Sequence, residues 1–482
     1  MKLAVTVSPA TVRCLVVRIT ALVFAVAFVS FWRQAHGLIG PGGILPAEQY
    51  LASAAEQLGT VDAMLLLPTL LWSGAGGMAL HLLCGGGTLA SLLVLIGVVP
   101  AIGLAVCWIC YLSLVHAGQM FFGYQWDMLL LEAGFLSILW APLALRPRLV
   151  WPGAPPAAVG WLTRWLLFRL MWSSGMVKLL SGDITWRNLT ALQFHYETQP
   201  IPAWTSHYAH HWPLWMHEGG VILTFAVELL LPLAIFGPRR WPLVAAAGFA
   251  VLQIGIAITG NYGFFNLLTL VLCLPLLQSH HTAVAGSPAQ IWPVQVITPV
   301  AVLVFVLGTV NMANTMGLSL PGAGSFRPVQ RLLAPLHLSS GYGLFAHMTT
   351  TRHEIIVEGS QDGDTWLEYQ FRWKASDPGR RPSFAPLHMP RLDWQLWFAA
   401  LRGYERARWF RHFAVCLLEG APDVLDLLAA DPFAGAPPRY LRARLFNYHF
   451  SDPSERARGI WWRRSAAGPY SPVLSLRSPL NR

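Results

Sequence analysis

The chain has 482 residues, of which 55% are hydrophobic and only 12% are charged, and its mean hydropathy is +0.48. Soluble domains carry about 25% charged residues, so this composition excludes an ordinary soluble protein and indicates a membrane protein. The formal net charge is +10. Because basic residues in membrane proteins set orientation and contact lipid head groups, we expect membrane lipids as partners and no nucleic acid.

Apolar runs fill the first two thirds of the chain, and most approach the roughly 20 residues that a helix needs to cross a bilayer. They predict a mainly α fold in which residues 1–319 form a multi-pass transmembrane helical bundle. Two of the runs are short and close together, so the segment 243–277 either spans the membrane twice or forms a re-entrant pair. The nine runs lie at about residues 14–31, 63–83, 88–115, 128–145, 160–181, 219–236, 243–259, 264–277 and 294–316.

Basic residues predict the orientation of the bundle. With a cytoplasmic N-terminus and nine crossings, Arg146, Arg148, Arg239 and Arg240 fall in cytoplasmic loops, as the positive-inside rule requires. The same count places the polar loop 182–218 and the whole tail on the opposite, non-cytoplasmic side.

The tail has a different composition from the bundle. Lys and Arg number 12 in residues 1–320 and 21 in residues 321–482. Together with its mixed pattern of apolar residues, this predicts a soluble, non-cytoplasmic α+β domain over residues 320–482.

Within the tail, strand-like runs at Arg352–Val357 and Trp366–Lys374 flank a turn rich in Gly and Asp. They predict a β-hairpin that resembles those of β-sandwich modules. A helix is predicted over 393–418 with Asp393 as its N-cap. Strand-like alternation returns at 439–450 and 459–464.

The stretch 168–200 passes from an apolar helix pattern into a polar loop, and Ser181-Gly182-Asp183 is predicted to end the helix. It contains GMVKLLSGDITWRNLTAL and HYETQP. Three further motifs are YQWDMLLLEAGFL at 124–136, GNYGFFNLL at 260–268 and PRLDWQLWFAAL at 390–401. In this order, the motifs resemble the lipase maturation factor family over nearly the whole chain.

This resemblance implies a membrane protein that assists the folding, assembly or maturation of secreted lipases. It implies a lipase client as partner, no cofactor, and binding and release of the client rather than catalysis. Family analogy favours the endoplasmic reticulum membrane, while the sequence fits a bacterial inner membrane equally well. No oligomeric state is predicted.

The tail is the part that the resemblance implies will meet the client, and its amphipathic helix pattern is where we look for the contact. Such a stripe of aromatic residues is also typical of a protein core. The candidate client-binding residues are Arg391, Asp393, Trp394 and Trp397.

Charged residues inside the apolar runs need partners, because an unpaired charge at membrane depth is costly. One interpretation is a set of ion pairs that holds the bundle together. The other is a functional site. The predicted buried polar network comprises Asp127, Glu132, Arg169, Lys178 and Glu228.

An enzyme is the alternative hypothesis. The run SGMVKLLSGDITW is similar to a segment of vitamin K-dependent carboxylase membrane domains, and this resemblance implies that Lys178 acts as a base in a carboxylase-like or quinone-linked reaction. Glu132, His195 and Glu197 are the candidate assisting residues. Transport is a third hypothesis, although the sequence has no inverted repeat.

Two further features concern the loop 182–218. A group of histidines there favours packing at the membrane surface over a metal site, because HEGG at 217–220 lacks the second His of a metalloprotease helix. Asn188-Leu189-Thr190 is a candidate glycosylation sequon. The histidines are His195, His207, His210, His211 and His217.

Overall fold

The computed structural model describes residues 7–476, except for 146–147, 149, 152–153, 239, 279–291 and 434. Arg146 and Arg239, which enter the orientation argument, therefore lie outside the described residues. The membrane region is built from apolar helices. They are α1 (Pro9–Trp32), α2 (Gly77–Leu95), α3 (Pro100–Ala117), α4 (Gln125–Trp140), α5 (Ala157–Leu180), α6 (Leu214–Ala234), α7 (Trp241–Thr259), α8 (Phe265–Leu277) and α9 (Val294–Thr315).

Six of these helices, α1, α2, α3, α6, α7 and α9, are long and apolar enough to cross a membrane. Helix α4 has 16 residues, and α8 joins a nine-residue α-helix to a four-residue 3-10 turn. Helix α5 is long but carries Arg164, Arg169 and Lys178. The structure confirms a multi-pass membrane protein, but it does not confirm the predicted count of nine crossings.

The boundaries of the second and third predicted runs are wrong. Much of the run 63–83 belongs to the short helices Thr60–Leu66 and Leu70–Ser73, and α2 begins only at Gly77. The run 88–115 is divided between α2 and α3 by a turn in which Gly97 has a φ of 89°. Apolar composition is continuous here, but Gly97 and Pro100 interrupt the helix, because glycine adopts the left-handed conformation readily and proline favours the first helical position.

Helix α1 lies in the core of the membrane region and packs against α2, α4 and α8. Close approach to α2 depends on Gly87, where an added Cβ would lie 2.4 Å from the ring of Phe28. Small residues at such crossings allow two helix backbones to pack tightly. Short helices connect the long ones at Ala35–Ile39, Ala47–Leu58, Gln119–Phe121, Ile184–Arg187, Ala191–Thr198 and Trp204–His210.

The C-terminal region combines helices with a small antiparallel sheet. Its longer helices are α10 (Ala323–Leu333), α11 (Arg391–Arg402) and α12 (Arg408–Glu419), and its short ones are Ala334–Leu336, Tyr404–Arg406, Pro422–Leu425 and Pro453–Arg456. The strands are β1 (Arg352–Ser360), β2 (Leu367–Glu368), β3 (Gln370–Phe371), β4 (Leu428–Ala430), β5 (Tyr440–Phe450) and β6 (Trp462–Pro469). The order is β2-β1-β5-β6 in the main sheet, and β3 pairs with β4.

The predicted hairpin is confirmed, because β1 and β2 are antiparallel with Glu358 opposite Glu368. The predicted β-sandwich is reduced to this four-stranded sheet and a two-stranded ladder, and α11 packs on β1. The predicted helix 393–418 is two helices, because Gly403 ends α11 with a φ of 80°. Asp393 is not the N-cap: that position belongs to Pro390, and Asp393 lies in the first turn.

Candidate functional site

Three of the predicted buried charged residues, Asp127, Glu132 and Arg169, lie where the C-terminal region contacts the membrane region. We call this contact the polar joint. It consists of residues of α4, α5 and the loop 182–218 together with C-terminal residues that bind them, among them Ser340, Tyr342, Arg352, Arg391, His449 and Phe450.

Asp127 of α4 binds the C-terminal region directly. Its two carboxylate oxygens accept hydrogen bonds of 2.7 and 2.9 Å from the guanidinium group of Arg391, and Tyr111 donates a further one of 2.5 Å. The guanidinium carbon lies 3.6 Å from the ring centroid of Phe122. A bidentate pair with a stacked aromatic ring is the geometry that arginine forms best.

Glu132 pairs with Arg169 of α5, as two adjacent helices allow. Its other carboxylate oxygen accepts hydrogen bonds from Tyr342 at 2.7 Å and from the backbone N–H of Ser340 at 3.1 Å. Gly308 of α9 leaves the room for this pair, because an added Cβ would lie 2.8 Å from Nε of Arg169. The C-terminal region thus completes a charge pair that begins inside the membrane region.

Lys178 pairs with Glu228 and not with the acids of α4. Its Nζ donates to the two carboxylate oxygens of Glu228 at 2.7 and 3.0 Å and to the carbonyl of Ser174 at 3.1 Å. Glu228 lies on a π-helical turn, Ala226–Leu230, within α6. Single π-turns inside α-helices are frequent at functional sites. The π-turn is therefore a reason to consider the Lys178–Glu228 pair as part of such a site.

His195 lies near this pair. Burial and then the charge of Lys178 lower the pKa of His195 to about 4, so the ring is neutral at physiological pH. Tyr262 is its hydrogen-bond neighbour, with 3.4 Å between the hydroxyl oxygen and Nε2. The structure therefore brings three predicted residues, Lys178, Glu228 and His195, into one neighbourhood.

Glu197 lies elsewhere, against strand β5. Its carboxylate accepts hydrogen bonds from Nδ1 of His449 at 2.9 Å and from the backbone N–H of Phe450 at 2.8 Å. Nε2 of His210 lies 3.6 Å from the same group. Glu197 thus attaches the loop to the C-terminal sheet and is not assembled with Lys178.

Arg352 makes the most extensive contact between the loop and the sheet. Its guanidinium group is fully buried and donates to the carbonyls of Glu197, Gln199 and Pro200 at 2.5 to 3.1 Å. It also pairs with Glu354, which binds Lys374 at 2.9 Å. Burying such a charge is tolerated because acceptors bind both Nη atoms, although Nε is buried without a hydrogen-bond partner.

Another loop histidine, His207, contacts the C-terminal region. Burial lowers the pKa of His207 to about 4, and its Nε2 lies 2.9 Å from the carbonyl of Ser451. Across the residues that the structure describes, no group of three or more His, Cys, Asp or Glu is placed to hold a metal ion.

The loop begins as predicted. Gly182 has a φ of 76° just after the end of α5. Asp183 caps the helix Ile184–Arg187 and accepts hydrogen bonds from the backbone N–H groups of Thr185 and Met348. Burial would raise the pKa of Asp183, but hydrogen bonds from the hydroxyl of Thr185 and from these two backbone N–H groups outweigh it and lower the pKa. Asn188, the sequon residue, is exposed.

The candidate client-binding residues lie at the joint. Arg391, Asp393 and Trp394 are buried, and the Trp394 ring lies 4.6 Å from the ring of Trp126. Trp397 is half-buried, and its indole N–H donates to the carbonyl of Thr198 at 2.9 Å. In this conformation α11 contacts the protein's own membrane region, so client contact through these side chains would require the joint to open.

At the joint, sequence reasoning missed the side chains of Tyr342, Arg352 and His449 and the backbone donors of Ser340 and Phe450. A signal existed for Arg352, because Arg352 and Glu354 share one face of a strand. An oppositely charged pair directly before the apolar run Ile355-Ile356-Val357 indicates a buried charge contact. Tyr342 and His449 carry no comparable pattern.

Comparison with known proteins settles the family. A family model described as the lipase maturation factor transmembrane domain matches residues 11–284, and one described as the lipase maturation factor C-terminal domain matches residues 338–472. The chain belongs to the lipase maturation factor family. The family's two matched regions include the residues on both sides of the polar joint.

Curated members of the family are similar along nearly the whole chain. Lipase maturation factor 2 of Mus musculus is 34% identical over 95% of this chain and 82% of its own length. Lipase maturation factor 1 of Bos taurus is 34% identical over 96% of this chain and 89% of its own length, and that of Homo sapiens is 33% identical over 96% and 88%. No solved structure matches the chain.

Proposed function

We propose that this protein assists the folding and maturation of secreted lipases as a membrane-anchored helper that binds and releases its client. The observation that carries the proposal is the similarity to lipase maturation factors 1 and 2, which extends over at least 95% of the chain. Similarity across both regions favours retention of the whole machinery rather than of a membrane anchor alone.

The geometry of the charged residues supports a helper more than an enzyme. Each buried membrane charge discussed above is bound by an opposite charge: Asp127 by Arg391, Glu132 by Arg169, and Lys178 by Glu228. The ammonium group of Lys178 uses its three N–H donors on three acceptors. A general base needs an available lone pair, and this arrangement offers none.

The experiment is co-expression with a secreted lipase as reporter in cells that lack an endogenous lipase maturation factor. We expect the chain to raise lipase activity per unit of secreted lipase protein. A secreted alkaline phosphatase in the same cells is the matched control and should not respond. An unchanged specific activity of the lipase, or an equal rise for the phosphatase, would count against the proposal.

We also propose that the N-terminus faces the cytoplasm and that the loop 182–218 and the C-terminal region face the other side. The exposed residue Asn188 offers a test in a host that glycosylates exported loops. Expression in such a host should give a glycosidase-sensitive increase in mass that Asn188→Gln removes. Protease accessibility of the C-terminal region from the cytoplasmic side would contradict this orientation.

The alternative is a membrane enzyme that uses Lys178. The observation in its favour is the neutral imidazole of His195 near the Lys178–Glu228 pair, because a neutral histidine can accept a proton. The two hypotheses make opposite predictions for a stable variant without Lys178: a helper keeps its lipase maturation activity, and an enzyme loses its function. Replacing Lys178 and Glu228 together by apolar residues is the way to obtain such a variant.

A further inference from the structure

Helix α10 has an apolar side that no described part of the protein covers. Every described side chain of this helix is at least partly exposed, and Leu332 is 71% exposed. At 100° per residue, Phe326, Val329 and Leu332 fall on one side of the helix, while Arg327 and Arg331 fall on the opposite side. This is the pattern of a helix that lies at a boundary between an apolar and a polar phase.

The position of α10 identifies that boundary. The seven residues 316–322 separate it from the end of the membrane helix α9, and Leu318 in this linker is exposed. The short helix Ala334–Leu336 follows directly after α10. In it, the carbonyl of Pro335 accepts a hydrogen bond of 2.7 Å from Nε2 of His116, which lies one residue before the end of α3. Helix α10 is therefore held at the level where two candidate membrane spans end.

A second segment shows the same property at the same level. Thr69 donates to the carbonyl of Ser113, one turn before the end of α3, at 3.1 Å. The short helix Thr60–Leu66, which precedes Thr69, exposes Val61 and Leu65. Two separate segments with exposed apolar side chains thus attach to one end of α3, as expected where that end meets the bilayer surface.

We propose that α10 lies flat in the membrane interface, with Phe326, Val329 and Leu332 among lipid acyl chains and with Arg327 and Arg331 at the phosphate groups of anionic lipids. Guanidinium groups bind phosphate well, and basic residues near a membrane surface are attracted to anionic lipids. A lipid surface is favoured over a protein partner because the linker between the membrane helix α9 and α10 also exposes apolar side chains, Leu318 and Leu320.

This contact has a consequence for the polar joint. The segment after α10 supplies Ser340 and Tyr342 to the carboxylate of Glu132. A helix held in the interface would fix the start of that segment, so lipid would help to keep the C-terminal region on the membrane region.

The test uses the purified full chain in nanodiscs of phosphatidylcholine and phosphatidylglycerol. A fluorophore is attached to Leu332→Cys, to Arg331→Cys on the opposite side of α10, or to Leu367→Cys, whose native residue is 43% exposed in β2 of the C-terminal sheet. The six native cysteines are buried, and the unsubstituted chain gives the labelling background. Thermal unfolding checks that each labelled variant is folded.

We expect lipids with a quencher on the acyl chain to reduce the fluorescence at position 332 at least twofold more than at positions 331 and 367. Equal quenching at 332 and 367 would overturn the proposal. So would protection of position 332 from both the lipid quencher and aqueous iodide, because that result would mean that protein covers the apolar side.

The role of anionic lipid is tested separately. Quenching at position 332 should fall when phosphatidylglycerol is omitted, and Arg327→Gln together with Arg331→Gln should reduce it to a similar extent. Arg411→Gln, at a partly exposed arginine of α12, is the matched control and should have no effect. Quenching that is independent of lipid charge and of both arginines would overturn the anionic-lipid part of the proposal.

Discussion

Arg391 and Asp127 lie 264 positions apart in the sequence and form a buried bidentate ion pair between the C-terminal region and a helix of the membrane region. Neither side chain is satisfied without the other region of the protein. The pair therefore makes correct docking of the two regions a condition for burying two charges, which gives the contact specificity as well as stability.

Arg391→Ala is expected to destabilise the protein by about 3–5 kcal/mol, because it leaves the buried Asp127 carboxylate without its cation. Thermal unfolding in detergent measures the loss. Arg411→Ala, which removes one partner of an exposed pair with Glu405, is the matched control and should cost less than about 1 kcal/mol. Equal effects of the two substitutions would show that the buried pair contributes no more to stability than the exposed pair.

Lys178→Met alone should also destabilise by several kcal/mol, since it leaves Glu228 buried without a charge partner. Adding Glu228→Leu should recover much of that stability, because the pair is then replaced by apolar side chains. For a helper, lipase maturation in co-expression should recover with stability in the double variant. A double variant that is stable and correctly located but inactive would instead support the enzyme hypothesis.

The buried carboxyl group of Asp393 should make the free energy of unfolding depend on pH. Burial raises the pKa of this carboxyl from 3.8 to about 6, against the opposing effect of hydrogen bonds from the backbone of Lys374 and Trp373. The folded protein therefore holds the proton more tightly than the unfolded chain. This contribution is fully present below about pH 4 and is lost as the pH rises through 6, to a total of about 3 kcal/mol.

Asp393→Asn keeps an oxygen that can accept both backbone hydrogen bonds but does not titrate. The stability of the native protein relative to this variant should fall between pH 4 and pH 6 and then level off, as measured by denaturant unfolding. Asp364→Asn makes the same chemical change at an exposed turn residue and is the matched control. A flat difference for Asp393→Asn would contradict the prediction.

A side chain at position 263, which is a glycine, would collide with the C-terminal region. Its φ is 56°, and an added Cβ would lie 2.0 Å from Sδ of Met389. Gly459 has a similar φ of 87° but open space around it, so Gly459→Ala measures the backbone strain alone, about 1–3 kcal/mol. Gly263→Ala should cost clearly more in thermal unfolding, and Met389→Ala in the same chain should relieve part of the excess.

Sequence patterns predicted the family, the membrane region and the loop after Lys178 because these depend on local signals. Motif spacing, apolar runs and the Gly182 cap are all readable within a few residues. The predicted network of buried charges did not specify which acid pairs with which base, and the pairing of Glu132 with Arg169 is known only from the structure. Local signals did not locate the break at Gly97 within an uncharged run, since apolar composition is the same on both sides of it.

Contacts between distant parts of the chain were not predictable in the same way. Asp127 has bases nearer in sequence, and nothing local indicates that its partner is Arg391. The apolar stripe around Trp394 has the same period whether it faces solvent, a client or the protein's own membrane helices. Only the packing of α11 on the membrane region distinguishes these cases.

The buried guanidinium of Arg352 has a consequence for the order of events during biosynthesis. The carbonyls that it binds, from Glu197 to Pro200, emerge from the ribosome some 150 residues earlier than Arg352 itself. Until β1 has been synthesised, those carbonyls lack the guanidinium donor of Arg352, and the contacts of the nascent loop are incomplete. A chain truncated before β1 would therefore expose an unfinished loop to the quality-control machinery of the cell, while synthesis through β1 supplies the missing donor.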